Sequence, residues 1–245
     1  MKLTTVLASV NANPNYYLFI PKQIKFWNHF NIKFIAIFVG ETLPNELVEY
    51  ASNIILWNKN LDLHTAFVAQ NIRIYYPALL NLPIDEMVMI TDMDMLPMSD
   101  HYYKYGLENF NNNDFIYYRH IDNNEIYMCY NASHPNTWSN IFNIKNATDI
   151  ENKLYETYNK NYTGKPDDVG WSVDQQIMYV KLINYPNLKI LNRPIKRLEM
   201  HKLKDHIAKN ESIYINNYTD SHFHRSYFSN ESLILYCEKD LGMNS

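Results

Sequence analysis

The chain has 245 residues, enough for one large α/β domain or one domain with a small appendage. It is 47% hydrophobic and 20% charged, the make-up of an ordinary globular protein. A net charge of -4 and a pI of about 6.1 argue against a basic nucleic-acid groove, and no apolar stretch reaches membrane-spanning length.

Five glycines are few for this length, and neither G-x-G-x-x-G nor G-x-x-x-x-G-K-[ST] occurs. That argues against Rossmann dinucleotide sites and P-loop sites. Cys129 and Cys237 lie far apart and form no metal spacing. They read as incidental thiols of a reduced, cytoplasmic protein. The first eight residues are too short an apolar run for a signal peptide and read as a strand.

In chain order, residues 3–10 predict a strand, and Asn13 with Pro14 predicts a helix N-cap and first helical position. Tyr17, Ile20, Ile24 and Trp27 follow at helical spacing, with a kink expected at Pro21. Residues 32–39 form a buried-strand pattern, Pro44 opens a short helix, and residues 54–57 read as a third strand. Residues 63–80 have helical period, bent or ended by Pro77, and residues 87–91 form a fourth strand. Alternating strands and helices predict a mostly parallel sheet flanked by helices. The second half changes pattern. Residues 115–118 and 126–130 read as strands about the polar turn Asp122-Asn123-Asn124, a smaller mixed or antiparallel portion. Helices are expected near 137–142, 149–159 and 172–182, and a short strand at 188–191.

The fourth strand carries the chemistry. Met87-Val88-Met89-Ile90-Thr91 ends in Asp92-Met93-Asp94. Two carboxylates at the end of a buried strand need compensation for lost hydration. A divalent cation supplies it, and hard oxygen ligands suit Mg²⁺ or Mn²⁺. The bland alternative is a pair of solvated turn residues or helix caps. Ligands of parallel sheets bind beyond the carboxyl ends of the strands. Asn11 and Asn13 also lie just past a strand end, so the two loops can share one crevice.

Two later clusters stand out. His222 and His224 alternate, so in extended chain both face one side. Ser172 and Gln175 have capping-box spacing, which starts a helix and places Asp174 in its favourable first turn.

With Gln70 and Arg73 upstream and Ile90-Thr91-Asp92-Met93-Asp94-Met95-Leu96-Pro97 following, residues 70–98 resemble the D-x-D region of GT-A-fold nucleotide-sugar glycosyltransferases. The strand–helix order extends the resemblance loosely over most of the chain. It implies a single glycosyltransferase domain over 1–245, with a nucleotide-sugar half at 1–98 and an acceptor half at 99–245 whose tail returns to the metal site. It implies a GT-A-like, Rossmann-like fold that moves a sugar from a nucleoside diphosphate sugar, UDP-sugar by family frequency, to a hydroxyl of a glycan or other acceptor.

The resemblance also implies roles. Asp92 touches the ribose or the metal, and Asp94 chelates Mn²⁺ or Mg²⁺ on the diphosphate. One late histidine, with His222 favoured over His224, adds a third ligand. Arg73 and Arg225 meet the diphosphate or buttress the carboxylates. The first loop, with Ser9, Asn11 and Asn13, meets base and ribose, and Tyr16 stacks on the base. Asp62 is a further base or ribose contact. Asp174 contacts the sugars or deprotonates the acceptor, Trp171 offers a platform for a sugar ring, and Asp167 or Asp168 is the alternative acid. Inversion requires a well-placed base, whereas retention proceeds with groups that only position the sugars.

Two competing readings remain at this level. A haloacid-dehalogenase-type phosphatase or phosphotransferase also places D-x-D after an apolar strand, but near its N-terminus. A non-catalytic sugar- or metal-binding module is the other; an EF-hand is ruled out because Met95-Leu96-Pro97 breaks its loop.

Overall fold

A computed structural model describes residues 1–59, 61–165, 168–209, 214–224 and 227–243. β1 (Lys2–Asn11) leads through α1 (Pro14–Tyr17) and α2 (Ile20–His29) to β2 (Lys33–Val39). A 3₁₀ segment, Asn45–Asn53, precedes β3 (Ile54–Trp57), and α3 (Thr65–Tyr75) precedes β4 (Glu86–Ile90). Then come β5 (Met95–Pro97), α4 (His101–Lys104), β6 (Phe115–Tyr117), β7 (Asn131–Ser133), α5 (Pro135–Phe142), α6 (Ala147–Thr157) and α7 (Val173–Leu182). β8 (Leu188–Ile190), β9 (Arg197–Glu199), α8 (Met200–Lys209), β10 (Asp220–His222) and α9 (Tyr227–Asp240) follow.

Seven strands form one sheet in the order β3-β2-β1-β4-β7-β6-β8. The β1–β4 group is parallel throughout, β7 is antiparallel to both neighbours, and β6 is parallel to β8. This is the expected mostly parallel α/β sheet with a mixed second half. Side chains alternate between two covered faces, as in sheets buried on both sides. Val6, Ala8, Phe34, Phe38 and Met89 pack toward α2 and α9 residues such as Ile24, Trp27 and Ile234. Leu7, Ile37, Val88 and Ile90 pack toward Phe67, Ile72, Trp138, Leu154 and Met178. A second sheet, β5-β10-β9, ties the late chain to the loop after β4.

Several expectations change in detail. Pro21 does not kink one helix; it lies in the first turn of α2, after α1 has ended at Tyr17. The missing proline N–H costs nothing there. Residues 126–130 form no strand, and the partner of β4 and β6 is Asn131–Ser133. The backbone of 126–128 is satisfied otherwise: Ile126 N donates to Gln175 O, and Asn131 Nδ2 takes the Tyr127 and Met128 carbonyls. The turn itself forms, with Asn123 and Asn124 left-handed (φ 48° and 60°) and Asp122 bridging Glu125. Ser172 makes no side-chain cap. The capping box lies instead at Asn146 and Asp149 of α6. No helix among the described residues is long and apolar enough to cross a membrane.

α9 is held to α2 by charge. Glu238 accepts from Lys22 at 2.8 Å and Lys25 at 2.9 Å, with only 7% of its side chain exposed. Burial opposes its ionisation, but the two lysines outweigh burial and hold its carboxyl below the ordinary range. Glu238→Gln should therefore lower stability by about 1–3 kcal/mol near neutral pH. A depressed carboxylate contributes above its unfolded pKa and loses that contribution as pH falls. Urea titrations should show parent and variant converging at acid pH below about 4.

Candidate active site

The register of the central strands builds the crevice. Leu7 pairs with Ile90 and Thr91 N donates to Leu7 O at 3.0 Å, so Asp92 falls level with Ser9 at the carboxyl edge. The turn that follows is clamped from below. Gln23 of α2, fully buried, donates through Nε2 to the carbonyls of Met93 and Met95, each at 2.8 Å. Its Oε1 accepts from Trp27 Nε1 at 2.8 Å. The late strand closes the turn from the side: His222 pairs with Met95, and Phe223 N donates to Asp94 O at 2.9 Å.

Side chains from distant segments thus meet at a cavity of about 600 Å³. Ser9, Asn11, Asn13, Tyr16, Arg73, Asp92, Asp94, Trp171, His222 and His224 all line it. Asn13 caps α1 by accepting from Asn15 N at 3.1 Å, Ser9 Oγ donates to Ala69 O, and Asn11 Nδ2 donates to Thr65 Oγ1 at 3.2 Å. Asp62 is exposed and outside the lining. Arg225 and Asp167 lie outside the described residues. Asp168 is bound to its own loop through Thr163 Oγ1 at 2.7 Å.

Asp174 does not face the cavity. Its side chain is fully buried, with Oδ2 accepting from Arg73 Nη2 at 2.8 Å and Oδ1 from Gln175 N at 2.9 Å. Arg73 is ion-paired to Asp92 on its other arm. One guanidinium, 11% exposed, therefore holds two carboxylates from two later segments. Burial raises the Asp174 carboxyl above its ordinary value against the pull of Arg73. At Asp92 burial also opposes charge, but Arg73 prevails and the carboxyl is shifted down. Burial works against the Arg73 cation, and the two aspartates more than restore it.

Asp94 Oδ2 meets His222 Nε2 at 3.3 Å. Burial disfavours the imidazolium, Asp94 outweighs it, and the His222 pKa is shifted up. His224 lies beside His222, the rings tilted by 46° with centroids 3.7 Å apart, and its Nε2 lies 3.9 Å from Glu199. Burial and then His222 shift its pKa down. Of the two histidines, it is His222 that reaches the acidic loop. Among the described residues no group of three His, Cys, Asp or Glu side chains is disposed to hold a metal ion. Asp94 with His222 makes a carboxylate–imidazole pair, while Asp92 is turned toward Arg73.

Four polar residues of the site carry no D-x-D-like signature. Gln23 is one; its signal is a polar side chain on the apolar face between Ile20 and Trp27. Gln70 donates to the Trp171 carbonyl and accepts from Tyr162 Oη at 3.1 Å. Tyr162 and Gln175 also line the cavity, and the buried Gln175 Oε1 has no hydrogen-bond partner among the described residues. Gly170, at φ 82°, turns the chain into Trp171 where an added Cβ would lie 3.1 Å from the Tyr162 ring.

No protein-family model matches the sequence, and no curated protein matches it either. The fold, however, is found among solved glycosyltransferases. An active-site mutant of the galactosyltransferase LgtC aligns over 98% of this chain and 95% of that chain, at 9% identity and a TM-score of 0.51. The apo form of the glycosyltransferase GlyE of Streptococcus pneumoniae TIGR4 aligns over 100% of this chain at 12% identity and a TM-score of 0.53. This chain spans 61% of the GlyE chain. The architecture is that of the GT-A glycosyltransferases.

Arg73→Met should leave Asp92 and Asp174 buried against an apolar side chain. The expected loss is about 3–5 kcal/mol, read from chemical denaturation. Gln23→Leu should strand two carbonyls and an indole N–H. At about 1–3 kcal/mol for each unsatisfied group, the same measurement should show a loss of at least about 3 kcal/mol.

Proposed function

We propose that this chain is a metal-dependent glycosyltransferase that moves a sugar from a nucleoside diphosphate sugar, taken to be a UDP-sugar, to an acceptor hydroxyl. The observation that carries this reading is the meeting of Asp94 and His222 at 3.3 Å, at the mouth of a cavity that also receives the loop after β1. The fold shared with LgtC and GlyE supports it at the level of architecture.

The charge of the site favours a cation. Asp92 and Asp174 share the Arg73 guanidinium, and Asp94 pairs with the imidazole of His222. A carboxylate and an imidazole fit Mn²⁺ or Mg²⁺ as a two-ligand site that leaves positions for diphosphate oxygens. Bound there, the ion would neutralise charge on the departing diphosphate. The C1–O bond to the diphosphate would break with its electron pair going to the diphosphate, a new C1–O bond to the acceptor oxygen would form, and the acceptor's proton would pass to the departing diphosphate.

The remaining roles belong to the chain. Ser9, Asn11, Asn13 and Tyr16 border the part of the cavity suited to base and ribose. Arg73 holds Asp92 and offers positive charge to the diphosphate. Asp174, enclosed behind Arg73, acts as a positioning residue and not as an acceptor-facing base. The phosphatase alternative expects its acidic strand early in the chain, whereas here it is the fourth strand and lies beside β1.

UDP should raise the melting temperature only when Mn²⁺ or Mg²⁺ is present, by binding linkage. Asp94→Asn should abolish that shift while the ligand-free melting temperature changes little. Thermal-shift titrations of both proteins check this, and a shift that survives the substitution rules out the metal assignment.

A further inference from the structure

The carboxyl edge of the sheet continues past the donor cavity. β7 runs antiparallel to both β4 and β6, so β4 and β6 point the same way and end at the same edge. Arg119 lies two residues beyond Tyr117, the last residue of β6. Neighbouring strands are about 4.8 Å apart, so this position sits about 10 Å along the edge from the end of β4, on the scale of one or two sugar rings. Direct contacts connect the two places. Arg119 Nη1 lies 3.5 Å from Cys129 Sγ. Arg197 Nη2 lies 3.9 Å from the same sulfur and 3.4 Å from Met95 Sδ, in the strand that follows Asp94.

The two guanidiniums are differently committed. Arg197 is bound by the fully buried Asp220, at 2.7 Å and 3.0 Å. Arg119 forms no ion pair among the described residues. It rests 4.3 Å above the Tyr127 ring and is half-buried. Asp122, on the same turn, accepts from Tyr127 Oη at 3.4 Å instead. Only Nη1 of Arg119 is engaged among the described residues, in a weak hydrogen bond to Cys129 Sγ, so no carboxylate takes its fork, and that fork matches carboxylate and phosphate oxygens. The aromatic ring fixes its position before a ligand arrives.

The geometry points to an acceptor that carries an anionic group, a carboxylate or a phosphate, received by Arg119 beside the donor cavity. This rests on the glycosyl-transfer reading above and adds the acceptor's chemical class. The net charge of -4 works against any general attraction of anions, so a preference for them must come from a local site.

Three probes separate the possibilities: p-nitrophenyl β-glucoside, p-nitrophenyl β-glucuronide and the 6-phosphate of the glucoside. Each is titrated calorimetrically into the full chain with UDP and Mg²⁺ present. At least one anionic probe should bind about tenfold or more tightly than the neutral glucoside, the scale of one charge-assisted contact. Which of the two does so identifies carboxylate or phosphate. Arg119→Gln should remove the preference, and Arg119→Lys, which keeps the charge and loses the fork, should retain part of it. Equal binding of all three probes, or a preference that persists in both variants, overturns the assignment. UDP titrated into the same samples reports the donor site separately. UDP binding with equal probes sinks the acceptor class alone, whereas an Arg119-dependent preference without UDP binding sinks the donor reading alone.

Discussion

The site depends on one buried guanidinium. Arg73 comes from α3, Asp92 from the loop after β4, and Asp174 from the first turn of α7. No two of these are neighbours in the chain. A charge removed from water is tolerated only where opposite charge and hydrogen bonds surround it, so each of the three requires the others. The pairing fixes α7 against α3 and prevents Asp92 from swinging toward solvent. By formal charge, the two aspartates outnumber the one guanidinium they share.

Layered on this is a division of labour between backbone and side chain. The acidic turn is shaped by groups that never reach the cavity: Gln23 from below and the Phe223 amide from the side. Its two carboxylates are then spared from structural duty in unequal measure. Asp92 is spent on Arg73, and Asp94 is left with an imidazole partner. Such asymmetry leaves Asp94 the less committed of the two.

Much of the frame was legible in the sequence because local signals and burial agree there. The apolar runs of β1, β2 and β4 sit where a sheet covered on both faces requires them, and Asn13-Pro14 caps and opens a helix as its chemistry predicts. The acidic pair was legible because charge at the end of an apolar run is anomalous. Failures fall where partners are remote. The 126–130 segment has strand composition, yet its backbone is satisfied by Gln175 and Asn131. Ser172 and Gln175 have capping spacing, yet Asp174 takes the Gln175 amide and the cap is not made. Asp174 itself was readable as an acid near the site, but not its burial, because that requires knowing that Arg73 arrives from a hundred residues away. α9 carried too mixed a pattern of apolar and charged residues to announce itself, and Arg119 had no motif at all.

The antiparallel pairing of β10 with β5 has a consequence for how the molecule comes into being. During synthesis the acidic turn emerges long before residues 220–224. Until that late ribbon docks, β5 has an open flank and Asp94 has no imidazole. A chain made only as far as β4 also lacks β7, which joins β4 to β6 in the sheet. The acidic turn therefore gains its final flank only after this late strand has been made.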